Sequence, residues 1–417
     1  MTEPTNLSIG VRPWMAGAGP VLDALEAAGG PGCARFVGGC VRSTLLNQPV
    51  HDVDLSTTLR PDETMAALEA AGVRVEPTGL IHGTVTAITP AGTYEVTTLR
   101  RDVTTDGRRA TVAFTDDWAE DAERRDFRLN ALYADREGRV YDPTGGGLED
   151  ARAGRVVFVG DAGRRIQEDY LRILRFFRFQ AACGRGEADT EALNACAQNK
   201  EGLLILSAER VAKELLKLLE VDDPRPALRM MAATGVLTVV LPEAGPRDRF
   251  ERLVAIESEQ LFETDPELRL AALLTPGKAE AMAVRLKLST AQRDRFAALD
   301  GEPAARIVSW LSPREARRAV YRLGAQAFRD RVKLAWAADP RAVTTPQWRG
   351  LLMLGQTWTA PALPLGGAEV MAAGVPEGPL VGRVLREVED WWVDLDFPDD
   401  PLAAVERLKA VAQGMAY

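Results

Sequence analysis

Two aspartates separated by one residue are the best candidates for catalysis in this chain. Asp52 and Asp54 flank Val53 in a segment, 50–56, whose composition predicts a β-strand. Because alternate strand residues point to the same face, we expect the two carboxylates to project together, with Val53 buried behind them. Paired carboxylates suit Mg²⁺, which completes its shell with substrate phosphates, and two such ions can assist a phosphoryl displacement.

A diglycine precedes the aspartates and offers a place for a phosphate chain. Gly38 and Gly39 lack Cβ atoms, so backbone N–H groups can approach a triphosphate closely. Arg42, in the first turn of the helix expected to follow, adds positive charge. A diglycine alone is weak evidence, and an aspartate pair alone is often a solvated strand end. Their combination at this spacing favours a nucleotide site.

An arginine-rich motif, RRDFRLNAL at 124–132, supplies further groups that could hold a nucleotide. The fork of Arg125 matches phosphate oxygens, Asp126 can accept from ribose hydroxyls, and Asn130 can brace the loop. The alternative is an N-terminal helix turn with surface ion pairs. The aspartate pair upstream favours the nucleotide-binding interpretation.

A second arginine-rich segment, EDYLRILRFFRF, has helical periodicity from residue 168 to residue 179. Asp169 and Arg172 are three positions apart and should share one helix face. They offer an acceptor and a fork of donors, as pairing with the edge of a base requires; a structural ion pair is the alternative. Arg175 and Arg178 would extend a basic stripe that tracks phosphates.

Three other residues are further candidates for the same site. Glu95, on a strand predicted at 93–99, is either a third carboxylate near the metal ions or a surface side chain. Glu168 stands beside Asp169 at the helix start, where the dipole favours carboxylates. Arg109 lies in a polar, glycine-bearing segment, which we interpret as a loop that moves with substrate or as an ordinary connection.

The composition is typical of a globular enzyme and limits the kinds of metal site. The chain has 417 residues, 46% hydrophobic and 27% charged, which predicts two or more domains. Four scattered cysteines are expected to be small core residues, and two histidines are too few for a histidine metal site. Any catalytic metal ion must therefore be held by carboxylates.

Charge and hydropathy predict the location of the protein and the kinds of partner it binds. No apolar run is long enough to span a bilayer and no signal-peptide pattern follows Met1, so we expect no membrane partner and a cytoplasmic location. The net charge of −9 opposes indiscriminate nucleic-acid binding. Arginines nevertheless crowd residues 100–180, which allows a localised basic groove.

The predicted elements change character near residue 162. Before it, the patterns indicate a small α/β head; after it, helical periodicity alone continues to the end of the chain. The predicted strands of the head are 34–37, 50–56, 84–89, 93–99 and 139–141, and its predicted helix is 61–71.

In this order, the motifs resemble those of the class II tRNA nucleotidyltransferases and bacterial poly(A) polymerases, within the DNA polymerase beta-like superfamily. The resembling stretches are the diglycine with the aspartate pair, TGLIHGTVT, YEVTTLR, RRDFRLNAL, DPTGGGLED, EDYLRILRFFRF, SAERVAKELLKLL and GAEVMAAGVPEGPLVGRVL. The resemblance implies a seahorse-shaped protein with an α/β nucleotidyltransferase head and an all-α neck, body and tail. The implied boundaries are head 1–150, neck 151–222, body 223–335 and tail 336–417.

The resemblance also implies partners and residue roles. tRNA would lie along the body, with its 3′ end entering between head and neck, and no protein partner is implied. Asp52 and Asp54 would hold two Mg²⁺ ions, while Asp169 and Arg172 would select CTP and ATP without a template. The triphosphate and ribose contacts would come from Gly38, Gly39, Arg42, Arg125 and Asp126.

Two residues depart from the family pattern, and the exact reaction stays open. Ser43 stands where an acidic residue is usual, and Arg128 replaces a small residue and adds charge near the nucleotide. We expect C and A to be added to tRNA ends. The alternatives are a CC-adding or A-adding enzyme, a poly(A) polymerase, or a non-catalytic RNA-binding protein, the last opposed by the intact aspartate pair.

Overall fold

The chain forms two units, each with its own hydrophobic core. They are Met1–Pro242 and Glu243–Tyr417. The computed structural model describes residues 3, 5, 7–106, 109–300 and 306–414, with the backbone alone at 102–106 and 109–112.

The first unit begins with a mixed sheet and a separate hairpin. The strands are β1 (Ala34–Val37), β2 (Asp54–Thr57), β3 (Arg74–Gly79), β4 (Thr84–Thr89), β5 (Gly92–Thr98), β6 (Arg100–Asp106), β7 (Arg109–Phe114), β8 (Tyr133–Ala134) and β9 (Val140–Tyr141). The seven-stranded sheet has the order β3-β4-β5-β2-β1-β8-β9, and β6 pairs with β7. β2 and β5 run parallel, and the other described neighbours run antiparallel.

Helices cover the sheet and then continue without it. Those of the first unit are α1 (Pro13–Ala16), α2 (Gly19–Gly29), α3 (Gly39–Leu45), α4 (Pro61–Ala70), α5 (Trp118–Glu123), α6 (Gly147–Ala153), α7 (Ala162–Glu168), α8 (Leu171–Cys183), α9 (Thr190–Asn199), α10 (Ala208–Leu219), α11 (Arg225–Ala233) and α12 (Val236–Val240). α2 contacts β1, and α4 contacts β3 and β4. Trp118 of α5 packs with Val37 and Tyr133 in a buried cluster.

The regular elements of the second unit, among its described residues, are helices. Its helices are α13 (Asp248–Glu259), α14 (Pro266–Leu273), α15 (Ala279–Arg285), α16 (Thr290–Asp300), α17 (Pro313–Leu323), α18 (Ala325–Ala338), α19 (Thr345–Thr357), α20 (Gly367–Ala372), α21 (Pro379–Asp394) and α22 (Pro401–Gly414). Short 3₁₀ turns in the two units are Leu80–His82, Arg128–Asn130, Lys200–Ile205 and Ala342–Thr344. Within the described part of the chain, no helix combines the length and apolar character that would let it cross a membrane.

The α/β head and the helical remainder are confirmed, with several shifts in detail. The strands predicted at 34–37 and 84–89 have the observed bounds, and the predicted helix ends one residue early, at Ala70. β3 was missed, because its segment mixes charged residues, a proline and a glycine. All four cysteines are free and buried, as expected.

The interpretation of the segment around Arg109 as a loop is wrong. Strands β6 and β7 form a hairpin there. The signal that sequence reasoning passed over is the Asp-Gly pair at 106–107 between runs of threonine and valine, which is typical of a hairpin. Residues 107 and 108 and the side chain of Arg109 lie outside the described part of the molecule, so its predicted role stays a prediction.

Candidate active site

Two carboxylates on the sheet and a third just before it form one negative cluster. Asp54 and Glu95 are paired in register across the parallel strands β2 and β5. Burial raises the pKa of Asp54 to about 6, and the negative charges of Glu95 and Asp52 add to the rise. The described residues contain no ready-made group of three acidic, histidine or cysteine side chains around one metal position. A Mg²⁺ ion here would therefore need substrate oxygens to complete its shell.

The strand that carries the aspartates is shorter than predicted. β2 begins at Asp54, so Asp52 lies on the exposed chain that leads into it, and Val53 is half-buried rather than buried. β1, its antiparallel neighbour, ends at Val37, directly opposite Asp54. Gly38 turns the chain away at that point. Asp52 nevertheless stays close enough to raise the pKa of Asp54.

Gly38 occupies a backbone conformation that requires glycine. Its φ of 68° and ψ of −114° are accessible almost only without a Cβ, and it stands immediately before α3. The N–H of Gly38 donates to the carbonyl of Leu132 (3.1 Å), and this bond ties the turn to the residue before β8. A Cβ on Gly38 would lie 3.5 Å from the carbonyl oxygen of Asn130. The turn is thus packed against the RRDFRLNAL motif, while a phosphate role for Gly38 and Gly39 stays a prediction.

A chain of hydrogen bonds joins α3 to that motif and to α8. Arg42 Nη1 donates to Asn130 Oδ1 (2.5 Å), and Asn130 Nδ2 donates to Asp126 Oδ1 (3.1 Å). Arg175 donates from Nε (2.8 Å) and Nη2 (2.5 Å) to Asp126 Oδ2. Arg42 also lies over the ring of Phe179, 5.0 Å from its centroid.

Asp126 is therefore satisfied within the protein. It is buried, and burial alone would raise its pKa, but Arg175 and Asn130 outweigh that effect and hold the pKa below its usual range. The carboxylate is ionised and fixed at neutral pH. In this structure Asp126 connects the RRDFRLNAL motif to α8, and its predicted ribose contact stays a prediction.

Asp121 is a residue that sequence reasoning missed. It is fully buried on α5 and accepts hydrogen bonds from Arg124 Nη2 (2.6 Å), Arg125 Nη2 (2.9 Å) and Tyr133 Oη (2.7 Å). Arg125 reaches Ser56 Oγ (3.3 Å) and acts on Asp54 by lowering its pKa. Asp121 thus aims Arg125 at the carboxylate cluster. Arg125 lies two residues beyond the end of α5, so this pairing depends on how the chain turns after the helix, and the sequence carries no signal for it.

The helix predicted at 168–179 is interrupted at its start. α7 ends at Glu168, Asp169 has an extended backbone (φ −153°, ψ 104°), and α8 begins at Leu171. Asp169 Oδ1 accepts from the Leu171 N–H (3.1 Å), two residues on, as in an Asx-turn. The prediction that Asp169 and Arg172 share one helix face is therefore wrong, because Asp169 lies in the break before α8.

Asp169 and Arg172 have separate partners. Asp169 Oδ2 accepts from Arg210 Nη2 (2.7 Å), and Arg210 lies on α10. Arg172 Nη1 donates to Glu168 Oε2 (2.6 Å) and to the carbonyl of Arg165 (2.7 Å). The alternative of an ion pair between Asp169 and Arg172 is not what the structure contains.

Arg175 and Arg178 do not form the open basic stripe that their spacing predicts. Arg175 pairs with Asp126, and Arg178 Nε donates to Glu214 Oε2 (2.7 Å), a buried carboxylate on α10. The stripe fails because carboxylates from two other segments fold against it. Periodicity within one helix carries no information about such distant partners.

The two departures from the family pattern have structural settings. Ser43 is buried on α3. Arg128 forms an ion pair with Asp150 (Nε to Oδ2, 2.6 Å), a fully buried residue at the start of α6, and its guanidinium lies beside Gly146. The positive charge that Arg128 was expected to add near the nucleotide is thus balanced by the carboxylate of Asp150.

Fold and site together define the class of protein. A mixed sheet carries clustered carboxylates beside an arginine held by a buried aspartate, and helices follow it. This is a DNA polymerase beta-like nucleotidyltransferase head with an all-helical remainder. Two family models match it: residues 34–157 match the poly A polymerase head domain, and residues 187–246 match the probable RNA and SrmB-binding site of polymerase A.

Individual relatives narrow the class to a family. The chain is 33% identical to the mitochondrial CCA tRNA nucleotidyltransferase 1 of Mus musculus, over 86% of this chain and 82% of that protein. It is 34% identical to the CCA-adding enzyme of Streptococcus sanguinis, over 91% and 94%. A crystal structure of the Bacillus stearothermophilus CCA-adding enzyme in complex with CTP superposes with a TM-score of 0.77 at 25% identity, covering 97% of this chain and 98% of that one. The chain belongs to the CCA-adding tRNA nucleotidyltransferases.

Proposed function

We propose that this enzyme adds C and A residues from CTP and ATP to the 3′ end of tRNA, without a nucleic-acid template. Family membership supports the reaction, and the observation that carries it within the molecule is the cluster of Asp54, Glu95 and Asp52 beside Arg125. A 3′-hydroxyl would attack the α-phosphorus of the nucleotide, and pyrophosphate would leave. Negative charge grows on the phosphoryl oxygens during this step, so the site must supply positive charge.

The carboxylate cluster fits a divalent metal ion, and enzymes of this family generally use one. Burial and two neighbouring negative charges oppose the ionisation of Asp54, and a bound cation would offset their effect. We propose that Asp52 and Asp54 hold two Mg²⁺ ions, with Glu95 contributing charge or a ligand. When bound, such ions polarise phosphoryl oxygens and lower the pKa of a coordinated hydroxyl.

The remaining roles belong to side chains around the cluster. We propose that Arg125, fixed by Asp121 and Tyr133, binds the phosphates, and that Arg42 supports the same end of the nucleotide. Asp126 and Asn130 would position the motif, and Asp126 would also contact the ribose of the nucleotide. Asp169 and Arg172 would read the base.

Two broader assignments are also proposals. The division into head, neck, body and tail at 150, 222 and 335 would separate catalysis and base reading from tRNA binding. A cytoplasmic location agrees with four free thiols, which are usual in reducing compartments.

The raised pKa of Asp54 predicts a pH-dependent requirement for Mg²⁺. Below about pH 6 the metal-free carboxyl is mostly protonated, and Mg²⁺ must displace that proton before it can bind. The Mg²⁺ concentration for half-maximal rate should therefore rise as pH falls, by up to about ten-fold per pH unit. Titrating Mg²⁺ against incorporation rate between pH 5 and pH 8 measures it. Excess Mg²⁺ should restore the rate at low pH; a requirement that stays constant would contradict the proposed role of Asp54.

The overall proposal is tested with three tRNA transcripts, ending before CCA, after CC and after CCA. Each is incubated with the enzyme, Mg²⁺ and labelled CTP, ATP or both. Completion of the first transcript to CCA, followed by arrest, is the expected result. Arrest at CC, or a single A added only to the CC-ended transcript, would indicate a specialised enzyme. Unlimited addition of A would indicate a poly(A) polymerase, and no incorporation would contradict catalysis altogether.

A further inference from the structure

Arg210 contacts a proposed base-reading residue from a different helix. It lies on α10, and its Nη2 is 2.7 Å from Asp169 Oδ2, while Asp169 Oδ1 accepts from the Leu171 N–H. The break between α7 and α8 places Asp169 outside regular helix, so its orientation depends on the groups that bind its two oxygens. Those groups are a side chain donor from α10 and a backbone donor from α8.

The same arrangement keeps Asp169 and Arg172 apart. Arg172 is three residues away and carries the opposite charge, so the two could pair and use up each other's hydrogen-bonding groups. Glu168 instead engages Arg172, and Arg210 engages Asp169. Both groups thereby keep defined positions from which to meet a ligand.

The chemistry of the bases shows why this matters. An ionised carboxylate only accepts hydrogen bonds. Cytosine and adenine present an exocyclic amino donor on the pairing edge, whereas uracil and guanine present a carbonyl oxygen at the corresponding position. A carboxylate held in one orientation therefore attracts the first pair and repels the second.

We propose that Arg210 is a positioning residue that determines nucleotide specificity, by orienting Asp169 toward the amino groups of cytosine and adenine. This rests on the proposed base-reading role of Asp169. The ion pair is accessible, with 43% of the Arg210 side chain and 31% of the Asp169 side chain exposed. An exposed pair contributes little to folding stability, so its effect should appear in substrate choice.

The test compares Arg210→Met, Arg210→Lys and a matched control, Lys213→Met, which removes an exposed positive charge three residues along α10. Single-nucleotide addition to tRNA transcripts gives kcat/KM for CTP, ATP, UTP and GTP. We expect Arg210→Met to reduce the preferences for CTP over UTP and for ATP over GTP by about ten-fold, mainly through KM. Arg210→Lys should recover part of the preference, and Lys213→Met should match the unmodified enzyme.

Asp169→Ala, measured in the same assay, distinguishes the role of Asp169 in base reading from the role of Arg210 in positioning it. If Asp169→Ala loses the preference while Arg210→Met retains it, base reading by Asp169 stands and the role of Arg210 is wrong. If neither change alters the preference, the base-reading proposal itself is wrong. An equal loss of activity with all four nucleotides in Arg210→Met, together with a lowered Tm, would show a structural role only and would also overturn the inference.

Discussion

We expect Asp54→Asn to lower kcat for nucleotide incorporation by about a thousand-fold or more, because the proposed metal site would lose its central carboxylate. Asp52→Asn should have a similar effect. The measurement is incorporation of labelled CTP into a tRNA transcript that lacks its CCA end, at saturating Mg²⁺.

The fold should survive this change. Asparagine has the shape of aspartate and carries no charge, and Asp54 is held ionised against burial and the repulsion of Glu95 and Asp52. At neutral pH, the Tm of the metal-free Asp54→Asn protein should therefore equal or exceed that of the unmodified protein. Asp62→Asn, an exposed position on α4 in the same head, is the matched control and should retain full activity. Substantial activity in Asp54→Asn would contradict the metal assignment.

We expect Asp169→Ala to relax nucleotide choice, because Asp169 is the proposed acceptor for the base. Without the acceptor, the preference for CTP over UTP and for ATP over GTP should fall by about a hundred-fold, since one lost base-edge contact is worth roughly 1–3 kcal/mol. Competition between labelled CTP and unlabelled UTP on the same transcript measures the ratio directly.

The matched control for Asp169→Ala is Glu187→Ala, which removes an exposed carboxylate from the connection between α8 and α9. It should leave all four nucleotides unaffected. An unchanged ratio of CTP to UTP in Asp169→Ala would show that the base is selected elsewhere. Lower activity with an unchanged ratio would assign Asp169 to holding α8 rather than to recognition.

The sequence predicted what depends on neighbours along the chain. The strand at 34–37, the diglycine turn before α3 and the change from strands to helices are local patterns, and the structure contains each of them, whereas Asp52 lies outside the strand that its alternation with Asp54 predicted. The class of chemistry followed from residue types at short spacings.

What the sequence could not predict depends on pairs that are distant along the chain. Asp126 meets Arg175 across 49 positions and Asp169 meets Arg210 across 41. The spacings of Arg172, Arg175 and Arg178 along the predicted helix were therefore misleading. β2 likewise starts at Asp54, opposite the end of its neighbour β1 at Val37, a position that its own composition did not reveal. Asp121 attracted no attention because nothing in a single sequence distinguishes a buried acidic residue from an exposed one.

The pairing of Arg128 with Asp150 has a consequence for exchanging segments between relatives. Asp150 is fully buried and is shared by Arg128 and Arg155, and a Cβ on Gly146 would lie 2.7 Å from Arg128 Nη1. These positions are therefore coupled: a small residue at 128 alone would leave a buried negative charge with one partner fewer, and a larger residue at 146 would displace the guanidinium. A chimaera that takes one of these motifs from another family member has to take the other with it.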